Sequence, residues 1–195
     1  MNRSIFVSMP DFRIDVLEDG QPARVITQYS VGRPGHTTPM FENGALSTDR
    51  EQKHWSQTYG AWMPFSLFFE QAPGCAFHAG NPAVASHGCI HLPQADAEWL
   101  YGWAAKFPVG LTIRGPYPDS PTRPTLYALG VGFMLADVVT AIQQALIAKG
   151  YAAVAASGVF DAATDAAIRQ FQAQQGLTVD GKVGPNTSAA LGVAL

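Results

Sequence analysis

The sequence predicts a mainly β domain followed by a small all-helical domain, and three observations carry that prediction. Short runs rich in β-branched and aromatic residues, punctuated by Gly, Pro, Asp and Asn, fill the first 115 residues. Beyond residue 125 the apolar residues recur at helical spacing. Between the two lies "GPYPDSPTRPT", Gly115 to Thr125, whose four prolines favour an extended, stiff connector. The expected division is therefore 1–115, a connector over 116–125, and 126–195.

Along the chain, "SIFVSM", "FRIDVLEDG", "ARVITQYSVG", "WMPFSLFFE", "CAFHAG" and "LTIRG" read as strands. Alternation on either side of Glu18-Asp19-Gly20 predicts a hairpin, because Asp-Gly suits a tight turn. A helix is expected over Pro93–Lys106, with Pro93 at its first position and Ala97, Leu100, Tyr101 and Ala104 on one face. In the second domain, helices are expected over Val138–Lys149 and Ala162–Gln175, each stopped by a glycine, with Asp161 as an N-cap. A third, short helix begins at Pro185. The glycines, Asp161 and apolar stripes of this part are explained as fold determinants.

Composition excludes several functions. Hydrophobic residues make up 47% of the chain and charged residues 14%, with a net charge of −3 and no Lys/Arg cluster to attract nucleic acid or an anionic bilayer. The longest apolar tract, "AWMPFSLFF", is broken by proline and far shorter than the ~20 residues of a membrane helix. A strand begins within a few residues of Met1, so no secretory leader is visible; one was removed or never existed.

Chemistry concentrates in "AFHAGNPAVASHGCIHLP", Ala76 to Pro93, which holds three of the five histidines and one of the two cysteines. Three readings compete. In the bland one, "SHGCIHL" is a half-buried strand with His87, Cys89 and His91 outward and Ile90 and Leu92 inward. In the second, Cys75, His78, His87, Cys89 and His91 supply zinc ligands, although their spacing matches no familiar finger or ribbon. In the third, Cys89 is a nucleophile. A thiolate needs a base and oriented donors for the oxyanion. His78 on the neighbouring strand is the natural base, and Gly88 lets the backbone turn its amides toward developing charge. If Cys75–His78 is a regular strand, Cys75 faces away from His78, which argues against a Cys75–Cys89 disulfide.

"HAGNPAVASHGCIHL" resembles the active-site signature of the L,D-transpeptidases of the YkuD family, a His followed downstream by Ser/Thr-His-Gly-Cys. "YSVGRPGHTTP", Tyr29 to Pro39, and the closing "LTIRG" support the likeness, which covers about Ser4 to Gly115. It implies a YkuD-like β-sandwich with a short helix. It further implies that Cys89 attacks the bond before the terminal D-alanine of a peptidoglycan stem, and that an amine from a second stem resolves the acyl-thioester. In that scheme His78 is the base, its other nitrogen held by the Ala79 carbonyl. His87, Gly88 and Cys89 line the oxyanion site, Ser86 supports the loop, and no cofactor or metal is required. Where common members carry Arg, this chain has His91, which puts recognition of a stem carboxylate at issue. Only seven residues separate His78 from Ser86, implying an open groove and room for an unusual acceptor amine or water. Water would make the chain an L,D-carboxypeptidase.

The second half, Asp137 to Leu191, resembles the peptidoglycan-binding type 1 domain at Gly158, Phe160, Asp161, Thr164, Ile168, Phe171, Gln172, Gly176 and Asp180-Gly181. The two resemblances together imply stem peptides and glycan as partners, carbapenem-type inhibitors, a monomer, and a periplasmic or cell-envelope setting.

Overall fold

The computed structural model describes residues 2–105, 108–118, 120–131 and 134–195, so Lys106, the expected end of the first helix, lies outside the described residues. The chain divides into two compact units, Met1–Arg123 and Pro124–Leu195.

The first unit is built on strands β1 (Arg3–Ser8), β2 (Arg13–Glu18), β3 (Gln21–Ile26), β4 (Phe41–Ser56), β5 (Ala61–Phe69), β6 (Ala72–Ala79), β7 (Ile90–Leu92) and β8 (Val109–Arg114), with one helix, α1 (Gln94–Trp103). They form an eight-stranded mixed sheet in the order β3-β2-β1-β8-β4-β5-β6-β7. The pairs β1·β8 and β6·β7 are parallel and the others antiparallel. Alternation explains the core: Ile5, Val7, Ile14, Val16, Leu111 and Ile113 are all 0–1% exposed and face one side of β1, β2 and β8. The expected hairpin joins β2 to β3, with Asp19 and Gly20 both at positive φ (51° and 77°), as a type I′ turn demands.

Two details differ from the sequence reading. Helix α1 begins at Gln94, and Pro93 is its N-cap with ψ 147°. Strand β4, the longest at 16 residues, was absent from the expected strands. Its sequence "FENGALSTDREQKHWS" is polar, and its Asn-Gly pair reads as a turn. In the structure, Asn43 sits at φ 53° inside a register shift of the β4·β8 ladder. A bulge thus absorbs the turn signal within the strand.

The second unit contains α2 (Ala136–Ala148), α3 (Ala162–Gln174) and α4 (Pro185–Leu191). Asp161 caps α3, its Oδ1 accepting the Thr164 N–H at 2.8 Å. Buried Val139, Ile142, Leu146, Ile168, Phe171 and Leu191 form its apolar centre. Gln143 and Gln172 are buried too, and each is satisfied: Gln143 Nε2 donates to the Val159 carbonyl at 2.8 Å and Gln172 Nε2 to Asp180 Oδ1 at 2.9 Å.

Candidate active site

The turn Ser86-His87-Gly88-Cys89 leads into β7 and is closed by a single hydroxyl. Ser86 Oγ donates to the Cys89 carbonyl at 2.5 Å and accepts the Gly88 N–H at 3.1 Å. The Ser86 backbone ties this turn to the segment at Val31–Arg33: its N–H donates to the Val31 carbonyl and its carbonyl accepts from the Arg33 N–H, both at 3.0 Å. Thr38 Oγ1 makes a second, longer approach to the Cys89 carbonyl at 3.4 Å while accepting the Gly32 N–H at 2.9 Å. Gly32 allows this close packing, since a Cβ there would lie 1.9 Å from the His36 carbonyl oxygen and 3.0 Å from the Gly88 nitrogen. Gly88 itself has φ +118°, a conformation L side chains rarely adopt.

Cys89 is buried against Ala76 and Met63, with Phe68 packed on the cluster. Its Sγ donates weakly to the Gly74 carbonyl at 3.8 Å. Burial pushes its thiol up to about 11, and the neighbouring Cys75 adds to that. Parallel pairing of Phe77 with Ile90 sets Cys89 level with Ala76, so His78, two residues along β6, shares its face of the sheet. The His78 ring is 6% exposed, and its Nδ1 donates to the Ala79 carbonyl at 2.9 Å, which leaves Nε2 as the basic nitrogen. Burial lowers its pKa to about 4, and the charges that His91 and His54 can carry reinforce the effect. At neutral pH the resting site therefore holds a neutral thiol and a neutral imidazole.

The other histidines surround this pair. His91 stands beside His78 in the β6·β7 register, ring centroids 4.8 Å apart at 70°, and its Nδ1 donates to the Val84 carbonyl at 3.1 Å. Its pKa is lowered chiefly by burial. His87 is exposed and lies between Tyr59, at 4.5 Å, and His36, at 5.1 Å. Its pKa is also lowered, by desolvation and then by the Arg33 and His36 charges. His54 meets Phe68 edge-on at 5.0 Å. All five histidines of the chain are linked by ring contacts or charge interactions, His36 with His87, His87 with His91, His91 with His78 and His78 with His54. Sequence reasoning singled out His78, His87 and His91 but missed His36, His54, Tyr59 and Thr38. The first and last of these lie in the quoted "VGRPGHTTP" stretch, the visible signal; His54 and Tyr59 belong to the unforeseen β4 and its turn.

Cys75 requires a correction. The β5·β6 register jumps from Phe68↔Ala76 to Phe69↔Ala72, and Gly74 has φ +91°. This bulge breaks the alternation that would have placed Cys75 across the sheet, and a Cβ on Gly88 would lie 3.1 Å from Cys75 Sγ. Cys75 therefore borders the Gly88-Cys89 turn, and both cysteines are free thiols. Nor do His87, Cys89 and His91 converge as ligands: His87 lies against Tyr59 and His36, the His91 Nδ1 donates to the Val84 carbonyl, and the Cys89 thiol to the Gly74 carbonyl. Among the described residues no three His, Cys, Asp or Glu side chains are grouped to hold a metal ion.

A mixed sheet that presents Ser-His-Gly-Cys at the start of its edge strand β7, beside a histidine held through Nδ1, defines a domain with a candidate cysteine–histidine site. The pattern of the YkuD L,D-transpeptidase catalytic domain matches residues 2–124, and that of a peptidoglycan binding domain matches residues 136–191. The chain belongs to the YkuD family of L,D-transpeptidase catalytic domains.

One solved structure agrees in fold, and two others are reported beside it. An L,D-transpeptidase from Stackebrandtia nassauensis superposes with a TM-score of 0.54 at 24% identity, over 62% of this chain and 58% of that one. L,D-transpeptidase 1 of Mycobacterium tuberculosis gives 0.47 at 22% identity, over 58% and 61%. An L,D-transpeptidase from Xylanimonas cellulosilytica gives 0.49 at 21%, over 58% and 60%. The chain thus spans less than two thirds of each of these proteins. A comparison with curated proteins returns no match.

Proposed function

We propose that the protein is a peptidoglycan L,D-transpeptidase working through an acyl-thioester on Cys89. The observation that carries this reading is the shared face of Cys89 and His78, with His78 Nδ1 committed to Ala79 at 2.9 Å and Nε2 left to take a proton. Because the thiol is raised to about 11 and the imidazole lowered to about 4, a preformed ion pair is disfavoured. His78 instead acts as a general base during attack.

In the first half-reaction Sγ attacks the carbonyl before the terminal D-alanine, its proton passes to His78, and the resulting His78 cation protonates the departing D-alanine amine. In the second, His78 takes a proton from the acceptor amine as that amine attacks the thioester carbonyl, then returns it to the departing sulfur. His87, Gly88 and Cys89 line the oxyanion site. At rest the Gly88 N–H is held by Ser86 Oγ, so Ser86 sets the shape of the turn that meets the developing charge.

His91 and the short loop between Ala79 and Ser86 bear on the acceptor. The His91 ring faces His78 and the Val84 carbonyl, and it lacks the permanent planar charge of an arginine. This favours an acceptor other than the usual side-chain amine, such as a stem N-terminal amine. The same short loop supports the second reading, hydrolysis of the thioester by water, which would trim tetrapeptide stems to tripeptides. The second unit holds the enzyme on wall glycan or stem peptide in the cell envelope, and a carbapenem ring carbonyl acylates Cys89 as a stem does. Carbapenem treatment followed by intact-protein mass measurement tests the nucleophile: one adduct on the wild type and none on Cys89→Ala supports it, and equal labelling of both transfers the chemistry to Cys75.

A further inference from the structure

Strands β4 and β5 run on together past the last residues of β5 that pair with β6, as a two-stranded arm with the pairs Lys53↔Pro64, His54↔Met63, Trp55↔Trp62 and Ser56↔Ala61. Successive side chains of the arm point to opposite faces. Met63, 6% exposed, packs with Cys89, and His54 meets Phe68, so this pair defines the inner face. Trp55 and Trp62 therefore lie on the outer face, 41% and 61% exposed, with ring centroids 5.1 Å apart. A solvent-facing strand surface is ordinarily polar, which makes two exposed indoles the informative feature. Ring pairing across the strands stiffens the arm, yet it leaves most of the Trp62 surface open.

Beside Trp62 is a cavity of about 460 Å³ lined by Gln52, Lys53, Trp62, Pro64, Phe65 and Gln94. Its wall is apolar, its polar groups are two carboxamides and one ammonium, and it carries no carboxylate. A pyranose ring fits that chemistry. Its C–H face lies flat on an indole, while carboxamides both donate to and accept from ring hydroxyls and acetamido groups.

We propose that the Trp62 cavity is a glycan subsite that takes an N-acetylated hexosamine of the wall polysaccharide. The inference rests on the wall-enzyme reading above and deepens it. The glycan lies against Trp62, and the stem peptide it carries reaches toward Cys89, which Met63 of the same strand contacts. A sheet with its side chains is roughly 10 Å thick, and four extended stem residues reach about 13 Å. The peptide is long enough.

All four tryptophans, Trp55, Trp62, Trp99 and Trp103, belong to the first unit, and the Trp62→Ala variant separates a change at Trp62 from sugar held by the second. The experiment titrates full-length protein with peptide-free N-acetylglucosamine tetramer. The expected result is a saturable fluorescence change, lost in Trp62→Ala and weakened about tenfold in the double variant Gln52→Ala/Gln94→Ala, which leaves the ring pair intact. The same double variant should raise KM for disaccharide-tetrapeptide and leave carbapenem acylation of Cys89 at the wild-type rate. No saturable change, or equal affinity in wild type and both variants, overturns the subsite. So does concentration-dependent self-association abolished by Trp62→Ala, which would make the indoles a contact between copies. Sugar binding without any Cys89-dependent product would instead overturn the enzymatic reading and leave the subsite standing.

Discussion

The His91 ring stands edge-on to His78, centroids 4.8 Å apart at 70°, because parallel pairing of β6 and β7 places the two residues side by side. Neither can carry charge without penalising the other, and both are held from behind by a backbone carbonyl, Ala79 for His78 and Val84 for His91. Burial keeps the His78 base neutral, the His91 charge reinforces it, and the Ala79 carbonyl fixes its tautomer.

That neutrality makes stability depend on pH. The His78 pKa falls from an ordinary 6.5 to about 4 on folding. Between these values the unfolded chain binds a proton that the folded protein refuses, so stability is complete above pH 6.5 and declines as pH drops toward 4. The interval is worth roughly 3 kcal/mol. Urea unfolding of His78→Gln from pH 7 to 4 should show a shallower decline than the wild type; identical slopes would place the protonation elsewhere.

Gly88→Ala should slow carbapenem acylation by about 10- to 100-fold, since a left-handed backbone conformation at a non-glycine residue costs on the order of 1–3 kcal/mol. The new Cβ would also crowd Cys75 Sγ at 3.1 Å. Adding Cys75→Ala removes the crowding and leaves φ +118° in place, so the double variant should remain slow. Full recovery would show that crowding alone mattered.

Ser86→Ala removes the acceptor of the Gly88 N–H and a donor to the Cys89 carbonyl at a site 2% exposed. The expected loss is about 1–3 kcal/mol in denaturant unfolding, together with slower acylation because the turn bearing the oxyanion donors is released. Unchanged acylation would reduce Ser86 to a purely structural residue.

His91→Arg places a permanent cation beside His78. Carbapenem acylation should persist, while the ratio of cross-linked to trimmed muropeptides changes, read by mass spectrometry of the products. An unchanged ratio would make His91 a packing partner of His78 with no part in acceptor choice.

How much of this was legible in the sequence depended on range. Ile5, Val7, Ile14 and Val16 announced their strands by alternation, and Asp19-Gly20 announced its turn, because these signals are local. His78 and the Ser86–Cys89 turn lie within one short stretch, so their proximity could be read directly. Strand β4 could not. Its run "FENGALSTDREQKHWS" is polar, with no polar-apolar alternation, and with it went His54 and Tyr59. Cys75 was misplaced for a related reason: one bulge at Gly74 turned it toward Gly88, and bulges leave no periodic trace.

The measurement that tests the account most directly is mass spectrometry of muropeptides after purified disaccharide-tetrapeptide is incubated with the protein and with Cys89→Ala. A Cys89 thioester yields dimers lacking one D-alanine with the wild type and unaltered monomer with the variant, and fragmentation of the dimer names the acceptor amine. Tripeptide monomers alone would contradict transpeptidation and make water the acceptor; equal products from both proteins, or none from either, would contradict the Cys89 thioester itself.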